Sequence, residues 1–282
     1  MTPMFTRLQC SLYASLERRL GSFSNRESRK KVQRGSLLNF GSNVYSQRGD
    51  DGIIREIFRR IGIENGFFIE FGAWDGIYLS NTRLLFENGW SGMFIEGDPK
   101  KAKKLKDSYS AFPDVKCVHG FVYPSSSDKQ KTLDDFCNEN KIDQIDFLSI
   151  DIDGLDLNIF ESLQRRPTLV AIEGGFSWHP QMNVRVPDEV AIKNLQQPLA
   201  VMIDAIKTKG YEPICFNQNL YLIDSTKAHK FEDIRHDAES LWLDAYYDQS
   251  EAFRSDLARF RRTNALIRKY EAPHESRFTF MV

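Results

Sequence analysis

Between Val44 and Ser225 short apolar runs alternate with stretches of helical periodicity, and this alternation limits the possible folds more than any other feature. Phe67–Phe71, Met93–Ile95, Val115–Val118, Ile145–Ile150 and Leu169–Ile172 read as strands. Leu79–Asn88, the basic Lys100–Ser110, Thr132–Asn140, Asp156–Leu163 and Asn194–Lys209 read as helices, the last closing at Gly210. Ser80 or Asn81 is placed to cap the first of them. The strand runs are polar only at their ends, which suits burial on both faces. Strands that alternate with helices need crossover connections, so the sheet is mainly parallel and the class is α/β. Glu212–Phe216 and Leu220–Ile223 flank Asn217–Asn219 and predict an antiparallel pair at the end.

The flanks differ. Residues 1–43 carry Arg7, Arg18, Arg19, Arg26, Arg29, Lys30, Lys31 and Arg34 against Glu17 and Glu27. Phe5, Leu8, Leu12, Leu16 and Leu20 recur at helical spacing, so Thr6–Leu20 is expected to be an amphipathic helix with a basic face. Its charges are expected to be solvated; peripheral contact with an anionic membrane surface or polyanionic partner is the functional alternative. Residues 226–282 lose the alternation. Leu241–Tyr247 and Ala252–Lys269 are the expected helices of a C-terminal extension that packs on the domain or pairs two copies. The organisation is thus a basic segment (1–43), an α/β domain (44–225) and a helical extension (226–282).

The composition excludes several classes. A formal net charge of −1 gives no support to nucleic acid as a partner. Cys10, Cys117, Cys137 and Cys215 form no C-x-x-C pair and no Cys/His cluster. A zinc site or disulfide framework is not expected, and a reducing cytoplasm fits. No run of about 18 apolar residues is present, so no transmembrane helix is expected, nor is a signal peptide.

The chemistry concentrates at strand ends. Phe67-Phe68-Ile69-Glu70-Phe71 runs into Gly72-Ala73-Trp74-Asp75-Gly76, a strand entering a glycine turn ahead of a helix. Ligands of open α/β sheets bind beyond such carboxyl ends. The next strand ends Glu96-Gly97-Asp98, and an acid about 20 residues past the glycine turn is placed to accept bonds from ribose hydroxyls. The turn is not G-x-G-x-x-G, because Trp74 stands at the middle glycine, and no G-x-x-x-x-G-K-[ST] occurs. That argues against a pyrophosphate, and so against a dehydrogenase. It favours an adenosyl ligand with an amino-acid tail, whose cationic amino group Glu70 could hold.

Glu70-x-Gly72-x-x-x-Gly76 resembles the first motif of class I S-adenosylmethionine methyltransferases. Several stretches resemble the FkbM-type methyltransferase family more closely. These are Tyr45-Ser46-Gln47 with Asp50-Asp51-Gly52, Gly72-Ala73-Trp74-Asp75-Gly76, and Ser80-Asn81-Thr82 with Gly89-Trp90-Ser91-Gly92. Thr132-Leu133-Asp134, Asp146 through Gly154, and Lys209-Gly210-Tyr211 follow. The resemblance implies a seven-stranded, Rossmann-like class I sheet, mostly parallel with an antiparallel last strand. It also implies S-adenosylmethionine as methyl donor and O-methylation of a sugar, glycan or other small molecule. With the residues above it makes Gln47, Asp51, Glu70, Gly72, Ala73, Asp75, Gly76, Ser80, Asn81, Glu96, Gly97, Asp98 and Asp151 the expected cofactor residues.

Asp151, Asp153, Glu173 and His179 sit on the loops that border the transferring methyl in this fold, and are the candidate bases for a hydroxyl nucleophile. His179 has the ordinary pKa best suited to that task. Asp151, Asp153 and Glu173 also form an oxygen-ligand set that would suit Mg²⁺. Trp178, His179 and Arg185 are expected on the acceptor side. The competing reading is a non-catalytic Rossmann-like module that binds a nucleotide or partner.

Overall fold

The computed structural model describes residues 32–152, 154–175, 178–191 and 196–248. The expected helices Thr6–Leu20 and Ala252–Lys269, and Asp153, lie outside the described residues.

Seven strands form one sheet. They are β1 (Phe67–Phe71), β2 (Ser91–Glu96), β3 (Val115–His119), β4 (Phe147–Ile150), β5 (Leu169–Glu173), β6 (Tyr211–Phe216) and β7 (Asn219–Asp224). The order is β3-β2-β1-β4-β5-β7-β6. β1 pairs in parallel with both β2 and β4, so the strand order switches there. β7 runs antiparallel between β5 and β6, as the sequence predicts. Phe68, Ile69, Met93, Phe94, Phe147, Leu148 and Val170 are fully buried, which is why their strands read as continuous apolar runs. Each such side chain stabilises the fold by about 1.5–3 kcal/mol.

Register places the site. Phe71 of β1 is level with Ile95 of β2 and with Ile150 of β4. The residues that follow (Gly72, Glu96 and Asp151) therefore leave the sheet together at the switch point, where open α/β sheets bind their ligands.

The helices are α1 (Asp50–Ile61), α2 (Arg83–Glu87), α3 (Pro99–Tyr109), α4 (Leu133–Asn140), α5 (Asp156–Ser162), α6 (Asp188–Ala191), α7 (Leu199–Thr208) and α8 (Ala238–Asp248). Four differ from expectation, among them the short α6, which the sequence left unassigned. α1 went unassigned in the sequence, although Ile53, Ile54, Ile57 and Phe58 bury one face of it. Its opening Asp50-Asp51-Gly52 resembles a turn. α2 starts at Arg83 and not at Leu79, with Thr82 as its N-cap, because the preceding polar residues are drawn to Glu70. α7 starts at Leu199 because Pro198 pushes the residue before it out of helical conformation. In the C-terminal region α8 packs on β6 and α7, and Leu241, Trp242, Ala245 and Tyr246 join the main core.

α1 is tied to the far edge of the sheet by one buried carboxylate. Asp50 Oδ1 accepts bonds from Tyr221 Oη and from Asn217 Nδ2 at 2.7 Å. Oδ2 is buried with no partner among the described residues. Burial holds this carboxyl above the ordinary carboxylate range despite the bonds from Tyr221 and Asn217. The unfolded chain ionises it more readily, so its contribution to stability is present at acid pH and is lost as pH rises. Thermal melts of wild type and Asp50→Asn across pH check this. The stability of wild type relative to the variant is expected to be greatest near pH 4 and to fall as pH rises, because only wild type can ionise there.

Candidate functional site

A cleft of about 360 Å³ opens at the switch point. That is within the size range of small-ligand sites, roughly 300–1,000 Å³. Gly72 from β1, Glu96 and Gly97 from β2, and Asp151 from β4 form its base. Phe121 and Tyr123 beyond β3, and Lys101 on α3, form its walls.

Glu96 is fixed by its own chain. Its Oε2 accepts the Trp74 N–H at 2.7 Å and its Oε1 accepts the Asp98 N–H at 2.8 Å. A carboxylate offers about four acceptor positions, so both oxygens keep capacity for a ligand's hydroxyls. Trp74 does not block the bend. Its backbone takes the left-handed conformation, and its indole is 42% exposed beneath Lys101 Nζ, 4.5 Å from the ring centroid.

Two glycines have steric reasons. Gly72 has φ +75°, and a Cβ there would lie 1.9 Å from the carbonyl oxygen of Asp151. The close approach is therefore made by the β4 loop. Gly97 lies under the ring of Phe121, where a Cβ would come within 2.2 Å. Phe121 is 62% exposed and lines the cleft. Sequence reasoning missed Phe121, Tyr123 and Lys101. The only available signal was Phe121-Val122-Tyr123 after a strand end, which also reads as ordinary surface.

Of the expected cofactor residues, Gly72, Glu96, Gly97 and Asp151 meet in this cleft. Others serve local structure. Asp75 accepts the Ile77 and Tyr78 N–H groups, and Asp98 caps α3 through the Lys100 and Lys101 N–H groups. Gly76 packs under Tyr109, whose hydroxyl donates to its carbonyl, and Ala73 is buried. Glu70 is fully enclosed. Its Oε2 accepts from Ser80 Oγ and Thr82 Oγ1 at 2.6 Å, and its Oε1 from Asn81 N at 2.9 Å. Burial raises its pKa against these bonds. Glu70, Ser80 and Asn81 thus form a buried brace between β1 and the α2 loop, and Glu70 is not among the residues lining the cleft.

Asp51 gathers the Val44, Tyr45 and Ser46 N–H groups on Oδ2 at 2.7–2.9 Å. With Asn81 it lines a different groove, about 340 Å³, between α1 and α2. Gln47 contributes its carbonyl to the Asp50 N–H.

The expected catalytic group is dispersed. Asp151 alone of the described members lines the cleft. Glu173 accepts from Gln196 Nε2 at 2.5 Å. His179 accepts the Gln181 N–H on Nδ1 at 3.2 Å and is not among the residues that line the cleft. Trp178 is buried in a small core with Met182, Val186 and Ala191, and its indole N–H donates to the Gln196 carbonyl. Arg185 makes a two-pronged pair with Glu161 at 2.7–2.8 Å, which raises its pKa. Trp178 and Arg185, expected on the acceptor side, are not among the residues that line the cleft. Among the described residues no group of three or more His, Cys, Asp or Glu side chains could hold a metal ion, so the Mg²⁺ expectation finds no support. Cys117, Cys137 and Cys215 are free, and burial pushes the first two thiols up to about 11.

Sheet order, one reversed strand and a cleft at the switch point define a Rossmann-like methyltransferase fold. Residues 119–213, about a third of the chain, match the family described as the Methyltransferase FkbM domain, which bears out the resemblance read from the motifs. That match includes Phe121 and Asp151 but begins after Gly72 and Glu96. No curated protein matches. Solved structures similar to this chain include a provisionally assigned caffeoyl-CoA O-methyltransferase from Staphylococcus aureus, with 17% identity, 76% of this chain and 98% of that one covered, and a TM-score of 0.42. An O-methyltransferase from Bacillus cereus in complex with S-adenosylhomocysteine has 14% identity, 76% and 99% coverage, and a TM-score of 0.41. The CurJ carbon methyltransferase has 8% identity, 67% and 57% coverage, and a TM-score of 0.40.

Gly72→Ala tests the close approach on which the cleft rests. Left-handed backbone and the contact with Asp151 both oppose a methyl group there. The substitution is expected to cost about 3 kcal/mol or more in chemical denaturation.

Proposed function

We propose that this chain is an S-adenosylmethionine-dependent methyltransferase whose acceptor is a hydroxyl of a sugar, glycan or other small molecule. The observation that carries the reading is the meeting of Glu96, Gly97 and Asp151 in one cleft with the exposed Phe121. The FkbM match supports methyl transfer as the reaction class.

The residues fit the cofactor. Glu96 is held by two backbone N–H groups and keeps acceptor capacity for a ribose diol. Phe121, fixed against Gly97, offers a flat apolar face for an adenine ring. S-adenosylmethionine, when bound, supplies an electrophilic methyl group on a sulfonium. The protein's tasks are to align the acceptor oxygen, exclude competing water and take up a proton. In this reading Asp151, which lines the cleft, takes that proton from an acceptor hydroxyl.

Calorimetric titration with S-adenosylhomocysteine tests the cofactor half. Wild type is expected to bind, Glu96→Ala about tenfold or more weaker, because hydrogen bonds to a charged group are lost. Phe121→Ala is expected to bind roughly two- to tenfold weaker with an unchanged Tm, since its ring is largely exposed. Absence of binding by wild type to either cofactor form overturns the reading. The catalytic half is tested with labelled S-adenosylmethionine and a panel of glycans and metabolites. Asp151→Asn is expected to retain S-adenosylhomocysteine binding while turnover falls about 10²–10⁴-fold. Binding without transfer to any acceptor favours the non-catalytic module.

A further inference from the structure

The loop between β1 and α2 carries Trp74, Ile77, Tyr78 and Leu79, which are 42%, 37%, 59% and 39% exposed. Four large apolar side chains exposed within six residues are more than a soluble surface usually shows. The loop is held in this outward form. Trp74 and Leu79 take left-handed backbone, Asp75 Oδ1 accepts the Ile77 and Tyr78 N–H groups at 3.0 and 2.9 Å, and the Tyr109 hydroxyl pins the Gly76 carbonyl to α3.

Beside it runs the basic helix. Ala102, Leu105 and Tyr109 face inward, while Lys100, Lys103, Lys104 and Lys106 are exposed. Lys101 sits over the Trp74 ring, so its flank of α3 is the one beside the loop. Lys104, three residues on, shares that flank. None of these lysines makes an ion pair among the described residues.

We propose that the Trp74–Leu79 loop and the Lys100/Lys101/Lys104 flank of α3 form a docking face for an anionic lipid surface. Tryptophan and tyrosine favour the membrane–water interface, and juxtaposed lysines are attracted to anionic headgroups. A soluble polyanion such as RNA satisfies the lysines but leaves Ile77 and Leu79 facing water. Lys101 also lines the cleft, so the docked surface lies beside the proposed cofactor site. The proposal itself does not require that cofactor.

The chain reports on this directly. Trp90, Trp178 and Trp242 are buried, which leaves Trp74 as the exposed tryptophan. The full chain is mixed with phosphatidylcholine vesicles that contain phosphatidylserine, and with phosphatidylcholine vesicles alone. Expected are co-sedimentation and a blue shift of tryptophan emission with the anionic vesicles only, both weakening with salt. The blue shift is expected to disappear in Trp74→Phe. Vesicle affinity is expected to fall at least about tenfold in Lys100→Glu/Lys104→Glu, with Tm as in wild type. The proposal is overturned if wild type ignores anionic vesicles. It is also overturned if the lysine variant binds them equally, which would move the contact to the basic residues 1–43, or if the chain binds RNA and not vesicles.

Discussion

The carbonyl oxygen of Asp151 occupies the space that any side chain at residue 72 would need. This contact sets the distance between the turn after β1 and the turn after β4, and those two turns are the base of the cleft. The residues that line the cleft are arranged from it. Glu96 enters from β2 at the same level because the three strands end in register. Its carboxylate is then immobilised by the N–H groups of Trp74 and Asp98, one from each flanking turn. The acid belongs to β2, but the turn after β1 aims it.

Behind the cleft, Glu70 holds a second set of constraints. Its buried carboxyl draws in Ser80, Asn81 and Thr82, and Asn81 reaches on to Ser149 of β4. The segment after the glycine turn is thereby tied down at its far end, while Asp75 and Tyr109 tie it in the middle. The apolar side chains between these anchors have no core position left to fill. Their exposure follows from how firmly the backbone is held, and it places a hydrophobic loop next to a lysine-rich helix at the edge of the site.

Much of the architecture was legible in the sequence. The inner parallel strands were legible because burial on both faces demands mostly apolar runs such as Leu169-Val170-Ala171-Ile172. The final hairpin was legible from two such runs around Asn217–Asn219. Helix α1 was not, because two aspartates and a glycine at its start look like a turn until Asp50 is seen bonded to Tyr221 and Asn217. The start of α2 failed for a related reason. Serine and threonine cap helices, but here their hydroxyls go to a carboxylate on a strand.

Local pattern by itself determined the class of fold, the strand ends that bear chemistry, and the pairing of a glycine turn with a following acid. Those properties depend on hydrophobic period and on turn residues, which are written in neighbouring positions. Tertiary structure alone decided which polar residues line the cleft. Glu70, Asp98 and Arg185 are as polar in sequence as Glu96 and Asp151, yet only the latter two line it, while Ser80, the Lys100 N–H and Glu161 bond the former. A side chain's availability is set by what it meets across space, and sequence spacing carries no record of that.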